Sequence, residues 1–231
     1  MRVAVTGALG YVGGALCRRL LQRGDGVRAL VRPGREGKDS QELRALGAEP
    51  RAGDLADPNT IADAAEGCEA LVHCGGESVR HASPAALSWL NVAGTENALA
   101  GARHAGVKRF VHLSCADVSL LNRDRVHWKE TAVLGQAPLG AYARNKLLAE
   151  ELALHASDAR MSVVAIRPAY LWGPGERTNL PELCRQARSG AVRNTRRTPP
   201  RPSDRPRWRR YRRQVARSCR CRIPAAPVRS A

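Results

Sequence analysis

Short apolar runs alternate with longer stretches of helical periodicity through about residue 180. Residues 2–5 (RVAV) are rich in valine, which predicts a strand. Residues 15–23 then place Ala15, Leu16, Leu20 and Leu21 at helical spacing. The same pattern repeats down the chain. Further strands are expected at 27–31, 48–52, 70–73, 107–113 and 162–167. Helices are expected at 40–46, 58–66, 84–104 and 139–157. Asp39 or Ser40 is expected to cap the first of these, and Pro58 to open the second. A polar loop follows the fifth strand to about residue 138. Strands alternating with helices imply right-handed crossovers and an α/β fold, a doubly wound parallel sheet covered on both faces. Ligands of such sheets lie at the carboxyl ends of the strands.

The first of those ends carries Thr6-Gly7-Ala8-Leu9-Gly10-Tyr11-Val12-Gly13, directly between strand and helix. In that context a glycine-rich loop points to dinucleotide binding. Gly7 permits the tight turn, Gly10 lets backbone approach a pyrophosphate, and Gly13 lets the helix pack close to the strand. The helix N-terminus then turns free N–H groups and partial positive charge toward the phosphates. A glycine triplet by itself also occurs in ordinary strand–turn–helix units. The second strand ends at Arg32-Pro33-Gly34 with no acid beside it. An acid there would hold the ribose 2′-OH of NAD, whereas an arginine suits the 2′-phosphate of NADP. NADP is the expected cofactor, with NAD as the alternative; a solvated loop arginine is the plain reading of Arg32.

Charge divides the chain. Residues 185–231 hold 16 arginines, no lysine and one acid, Asp204, for a net +15, while residues 1–184 are close to neutral at +2. The reading is a near-neutral globular body at 1–184 and a basic tail at 185–231. The seven cysteines show no paired CxxC spacing and the six histidines no metal-ligand spacing, so no metal is expected. No leader or membrane-length apolar run is evident, and a cytoplasmic protein with reduced thiols is expected.

Tyr142-Ala143-Arg144-Asn145-Lys146 places a phenol and an ammonium at i, i+4 on one helix face. A neighbouring cation favours a phenolate, so the pair could pass a proton near neutral pH. A shared exposed face is the bland alternative. At this point the sequence resembles the extended short-chain dehydrogenase/reductase family, its NAD(P)-dependent epimerase/dehydratase and 3β-hydroxysteroid-dehydrogenase-like members. The matching pieces are TGALGYVG (6–13), GDL (53–55), LVHCGG (71–76), NVAGTEN (91–97), VHLSCADV (111–118), YARNK (142–146) and IRPAYLWGPG (166–175). The resemblance implies a Rossmann fold in which Gly7, Gly10 and Gly13, with Tyr11 and Val12 between them, cradle the pyrophosphate. It places Asp54 and Leu55 against the adenine, and Cys74, Gly75 and Gly76 beside the cofactor. Tyr142 is the implied general acid/base. Lys146 is implied to hold the nicotinamide ribose and to depress the tyrosine pKa. Pro168 and the Gly173-Pro174-Gly175 turn are implied to border a small-molecule substrate. The implied reaction moves hydride between nicotinamide and a carbonyl or hydroxyl carbon. A serine or threonine after strand five is implied to bind the reacting oxygen. Here that position falls on Ser114 or Cys115, with Ser114 preferred because a thiol is a weak donor. Gly75 and Gly76 stand where the family commonly has alanines. A homodimer through the Tyr142 helix is also implied.

Residues 180–190 still resemble the family's next helix. Beyond them the arginine- and proline-rich stretch loses all periodicity, and its high charge and low apolar content disfavour a core. Three explanations fit. Trp208-Arg209-Arg210-Tyr211-Arg212-Arg213 interleaves aromatics with guanidinium groups, as a nucleic-acid arm does. A solvated, disordered tail is the second. A translated shifted frame of a GC-rich gene is the third, and arginine without lysine favours it over nucleic-acid binding. The functional classes left open are an NAD(P)-linked oxidoreductase, epimerase or dehydratase, a non-catalytic cofactor-binding chain, and a nucleic-acid binder acting through the tail.

Overall fold

The computed structural model describes residues 1–35, 37–77, 83–119, 140–176 and 179–189. The chain divides into two compact units, Met1–Tyr170 and Leu171–Ala231. The division falls earlier than the sequence boundary after Cys184. Of the expected basic tail at 185–231, residues 190–231 lie outside the described residues.

In the first unit, strands β1 (Arg2–Thr6), β2 (Gly26–Val31), β3 (Glu49–Ala52), β4 (Ala70–His73), β5 (Arg109–Leu113) and β6 (Ser162–Ile166) form one sheet in the order β3-β2-β1-β4-β5-β6. Every pairing is parallel. Helices α1 (Tyr11–Gln22), α2 (Lys38–Ala45), α3 (Pro58–Ala65), α4 (Pro84–Ser88), α5 (Gly94–His104) and α6 (Ala141–His155) connect the strands. Strand alternation sorts the core into two layers. Val3, Val5, Val27 and Ala29 pack with Cys17, Leu20 and Leu43 of α1 and α2. Ala4, Leu30, Leu71, Phe110 and Val163 point the other way, against Ile61, Ala98, Ala102 and Ala153 of α3, α5 and α6. This is the doubly wound α/β sheet expected from the pattern, with the switch in strand order between β1 and β4.

Several boundaries differ from the sequence reading for local reasons. Helix α1 begins at Tyr11, not 15, because the Gly14 N–H already reaches the Gly10 carbonyl at 2.8 Å. Neither Asp39 nor Ser40 caps α2; Gly37 is its N-cap, without a side-chain bond, and both residues lie in the first turn. Asp57 caps α3 through the Asn59 N–H at 2.9 Å. The expected helix 84–104 is interrupted by a π turn, Trp89–Ala93, between α4 and α5. Helix α6 starts only at Ala141, because Gly140 sits at φ +86°. At the far end of α6, Glu150 is buried and accepts both Nε and a terminal nitrogen of Arg167, just past β6. That bidentate pair ties the helix to the edge strand.

The second unit contains helix α7 (Asn179–Arg188), where the sequence places one. The Glu176 carboxylate accepts the Leu180 N–H at 2.6 Å, which satisfies one free donor of its first turn. The Gly173-Pro174-Gly175 turn belongs to this unit. No helix among the described residues is long and apolar enough to cross a membrane.

Candidate functional site

A cleft of about 630 Å³ opens at the carboxyl ends of β1, β2 and β4. Its floor is the glycine loop, contributed by Gly7, Ala8, Leu9 and Gly10. One wall is the end of β2, with Val31, Arg32, Gly34 and Arg35; another is Gly53-Asp54-Leu55, and Gly75, Gly76 and Glu77 close the side toward β4.

The glycines are required by the space. Gly7 has φ +65°, and a Cβ there would lie 2.7 Å from the Cys74 carbonyl carbon. A Cβ on Gly13 would strike the Gly7 carbonyl, approaching its carbon to 2.8 Å. Gly13 therefore packs α1 onto the loop and does not itself face the cleft. Nor do Tyr11 and Val12, which form the first turn of α1. At Gly75 a Cβ would meet Leu55 at 2.8 Å, and at Gly76 the Asn91 side chain at 2.6 Å. These close approaches leave bare backbone around the cleft. That is what a pyrophosphate needs, so the residues fit a dinucleotide.

Asp54 is held by its own turn, its carboxylate accepting the Ala56 N–H and its N–H donating to Thr60. The Leu55 carbonyl accepts from Asn97 at 2.8 Å. Asn91, in the π turn, grips Glu77 at both its N–H and its carbonyl, at 3.0 and 3.2 Å. The wide turn thus presents the side chain that fixes the loop after β4, as such interruptions often do at functional sites.

Beneath this rim lies a buried polar row that the sequence reading missed. Thr95 donates to the Asn91 carbonyl at 2.7 Å, so it accepts from His73 Nε2 at 3.2 Å. His73 Nδ1 then accepts from Thr6, at 2.8 Å, and Thr6 accepts the Gly75 N–H. His73 is consequently neutral, and burial first, then His112 and Lys146, holds it well below the usual histidine range. His112, its register partner on β5, stacks on it at 5.7 Å. Burial pushes His112 down to about 3, with Lys146 adding to the effect. Both His112 ring nitrogens and the Ser114 hydroxyl are buried with no hydrogen-bond partner among the described residues. The available signal was a polar residue at an inward position of each short strand, His73 and His112.

Lys146 is buried on α6, and its ammonium donates to the Leu113 carbonyl at 2.6 Å, at the end of β5. Burial lowers its pKa, while Cys115, Cys74 and Glu150 act to raise it. Tyr142, one turn earlier, is half-buried. The resemblance led to a depressed tyrosine pKa; the structure has the opposite direction. Burial raises it first, and the neighbouring Cys115 and Asp117 add to this. The Lys146 ammonium, one turn along α6, donates instead to the Leu113 carbonyl. Tyr142, Lys146, Ser114, Cys74 and Pro168 do not line the cleft itself. Cys74 directly precedes Gly75 and feels the Lys146 charge, and the Pro168 carbonyl accepts the Ala116 N–H at 2.9 Å.

Residues 4–198 match the model of the 3-beta hydroxysteroid dehydrogenase/isomerase family. The chain belongs to that family. Among its relatives in it is a 2-alkyl-3-oxoalkanoate reductase of Stenotrophomonas maltophilia (strain K279a), 36% identical over 201 residues, 84% of this chain and 58% of the relative. A 4-hydroxy-2-methyl-3-oxo-4-farnesyl-3,4-dihydroquinoline-1-oxide ketoreductase of Stigmatella aurantiaca is 37% identical over 183 residues, 79% of this chain and 54% of the relative. The structure of MoeE5 in complex with UDP-glucose and NAD superposes with a TM-score of 0.68 and 29% identity, covering 80% of this chain and 60% of that one. This 3-beta hydroxysteroid dehydrogenase/isomerase family member therefore spans only about half the length of the curated relatives it matches. Its family is one of NAD(P)-dependent oxidoreductases, and its first unit has their Rossmann fold.

Proposed function

We propose that this chain binds NADPH in the glycine cleft and reduces a ketone to an alcohol, with Tyr142 as the proton donor and Lys146 holding the nicotinamide ribose. One observation carries the reading. The Lys146 ammonium is anchored at the end of β5, whose neighbour in the sheet is β4, and Gly75 and Gly76 just past β4 line the cleft. Cradle and Tyr–Lys pair thus share one end of the sheet. When bound, the dinucleotide supplies the hydride. The protein's part is positional and protic. Gly7, Gly10, Gly75 and Gly76 offer backbone to the pyrophosphate, and Asp54 and Leu55 border the adenine. Arg32 and Arg35, at the end of β2, provide positive charge for a 2′-phosphate, which favours NADPH over NADH. Tyr142 is kept protonated by its surroundings and gives its proton to the carbonyl oxygen as that oxygen gains charge. The remaining Lys146 donors reach the ribose. Reduction of a 3-oxo substrate is favoured by the names of two relatives, both ketone reductases.

A non-catalytic NADPH-binding chain is the second reading, favoured by the length that its relatives have and this chain lacks. Fluorescence titration of the full chain, followed by NADPH consumption at 340 nm with ethyl 2-methyl-3-oxobutanoate, separates the two. The expected outcome is binding of NADPH at least about tenfold tighter than NADH, as a satisfied charged phosphate contact requires, together with oxidation of NADPH. Binding without oxidation selects the second reading. Equal affinity for both nucleotides removes the role given to Arg32 and Arg35.

A further inference from the structure

Resting on the reductase reading above, we propose that Glu150 and Arg167 are the positioning residues of Lys146: their two-pronged bond fixes where α6 sits along the sheet, and with it where the ammonium stands for the nicotinamide ribose. The face that α6 turns to the interior is made of Ala143, Lys146, Ala149, Glu150 and Ala153. Three of these bring one methyl group each. Methyls let the helix lie close to the sheet but interlock too little to set its position along the axis. The two long side chains on the face are Lys146 and Glu150, one turn apart and both buried. A buried charge needs a partner, and each finds it on the sheet.

The two partners are neighbours. The Lys146 ammonium donates to the Leu113 carbonyl at the end of β5. Leu113 is the register partner of Ile166 on β6, and Arg167 comes next. The Ser114 N–H, tied to the Ile166 carbonyl at 2.9 Å, holds the two strand ends together. Arg167 Nε donates to both Glu150 carboxylate oxygens, at 2.9 and 3.0 Å, and a terminal nitrogen donates to one of them. Two successive turns of α6 are thus pinned to two adjacent strand ends. The pins are unequal. A planar guanidinium on a carboxylate fixes distance and direction, whereas a lysine is a point charge on a flexible stem. The stiff pin therefore sets the helix, and Lys146 follows about 6 Å toward its N-terminus, four residues at about 1.5 Å each. Glu150 and Arg167 do not line the cleft, so their part is indirect, through Lys146.

Two measurements on the full chain test this. The first is the acetylation rate of Lys146 by sulfosuccinimidyl acetate, read by peptide mass mapping, with exposed Lys108 as the internal standard. Arg167→Lys, which keeps the charge and loses the fork, and Glu150→Gln should each speed it at least about threefold relative to Lys108, because a buried amine reacts from locally opened states. An unchanged ratio in a folded variant overturns the placement. The second is affinity for NADPH beside affinity for 2′,5′-ADP, which ends before the nicotinamide ribose. Each variant should weaken NADPH about fivefold, part of what a charged hydrogen bond supplies, and leave 2′,5′-ADP within about twofold. In the Lys146→Met background the same substitution should cost less than about twofold, since the route through Lys146 is gone. Equal losses for both ligands, or a loss that survives in Lys146→Met, mean a structural role only and overturn the proposal. Should Glu150→Gln not fold, Arg167→Lys carries both measurements, because the Arg167 side chain is a quarter exposed and a lysine there can reach water. If Lys146→Met alone leaves NADPH affinity unchanged, the ribose contact in the reductase reading fails, and the acetylation ratio still decides the placement of Lys146.

Discussion

Gly13 shows how much of the site rests on single atoms that are absent. Its hydrogen stands where a methyl group would overlap the Gly7 carbonyl, so α1 can lie directly on the loop that floors the cleft. Gly13→Ala should lower stability by roughly 1–3 kcal/mol, the usual cost of overpacking, and should weaken NADPH binding more than that cost explains. Thermal melts with and without NADPH check both parts; an unchanged melting point and affinity would contradict the close packing. Such residues were legible in the sequence because the physics is local: strand, glycines and helix are contiguous. His73 and His112 were not. Each is an unremarkable polar residue in a short apolar run until β4 and β5 pair and stack the two rings. The choice between Ser114 and Cys115 was hidden for the same reason. It depends on which of two neighbours turns inward where β5 meets β6.

At the scale of elements, the strand pattern was readable because each strand has an inward face to bury. Ala70–His73 falls where the alternation put it, and the other strands shift by no more than two residues. What was not readable was the shape of a helix under tertiary load. The π turn Trp89–Ala93 leaves the apolar spacing of 84–104 intact, while Asn91 turns to grip Glu77. The β4–β5 pair also predicts a pH response. His112 titrates at about 3 in the folded chain, against 6.5 for a free side chain, because burial disfavours its charged form. The unfolded chain therefore takes up the proton first as pH falls. Full stability is present above about pH 6.5 and is lost from there down toward pH 3, by about 1.4 kcal/mol per pH unit for this one group. Denaturant melts between pH 7 and pH 4 should show at least that slope, since buried His73 adds in the same direction, and His112→Leu should make it shallower. An identical slope in the variant would place the response elsewhere.

Across the whole molecule, the sequence and the structure agree on a doubly wound unit whose carboxyl edge gathers the glycine loop, the β2 arginines and the Tyr142 helix. The family match extends to residue 198, past the last described residue, while the curated relatives run nearly twice as far as the matched region. The substrate's identity was not legible, since no described residue outside the glycine cleft and the Tyr142 region singles out one small molecule. The central claim is that a bound nicotinamide nucleotide and the Tyr142 phenol act on the same carbonyl. Its most direct test is to measure NADPH affinity and ester turnover side by side for wild type and Tyr142→Phe. The account predicts equal NADPH affinity within about twofold and a loss of kcat of about a hundredfold or more, the usual contribution of a positioned proton donor. Turnover by Tyr142→Phe at the wild-type rate, or a wild-type chain that does not bind NADPH, would contradict it.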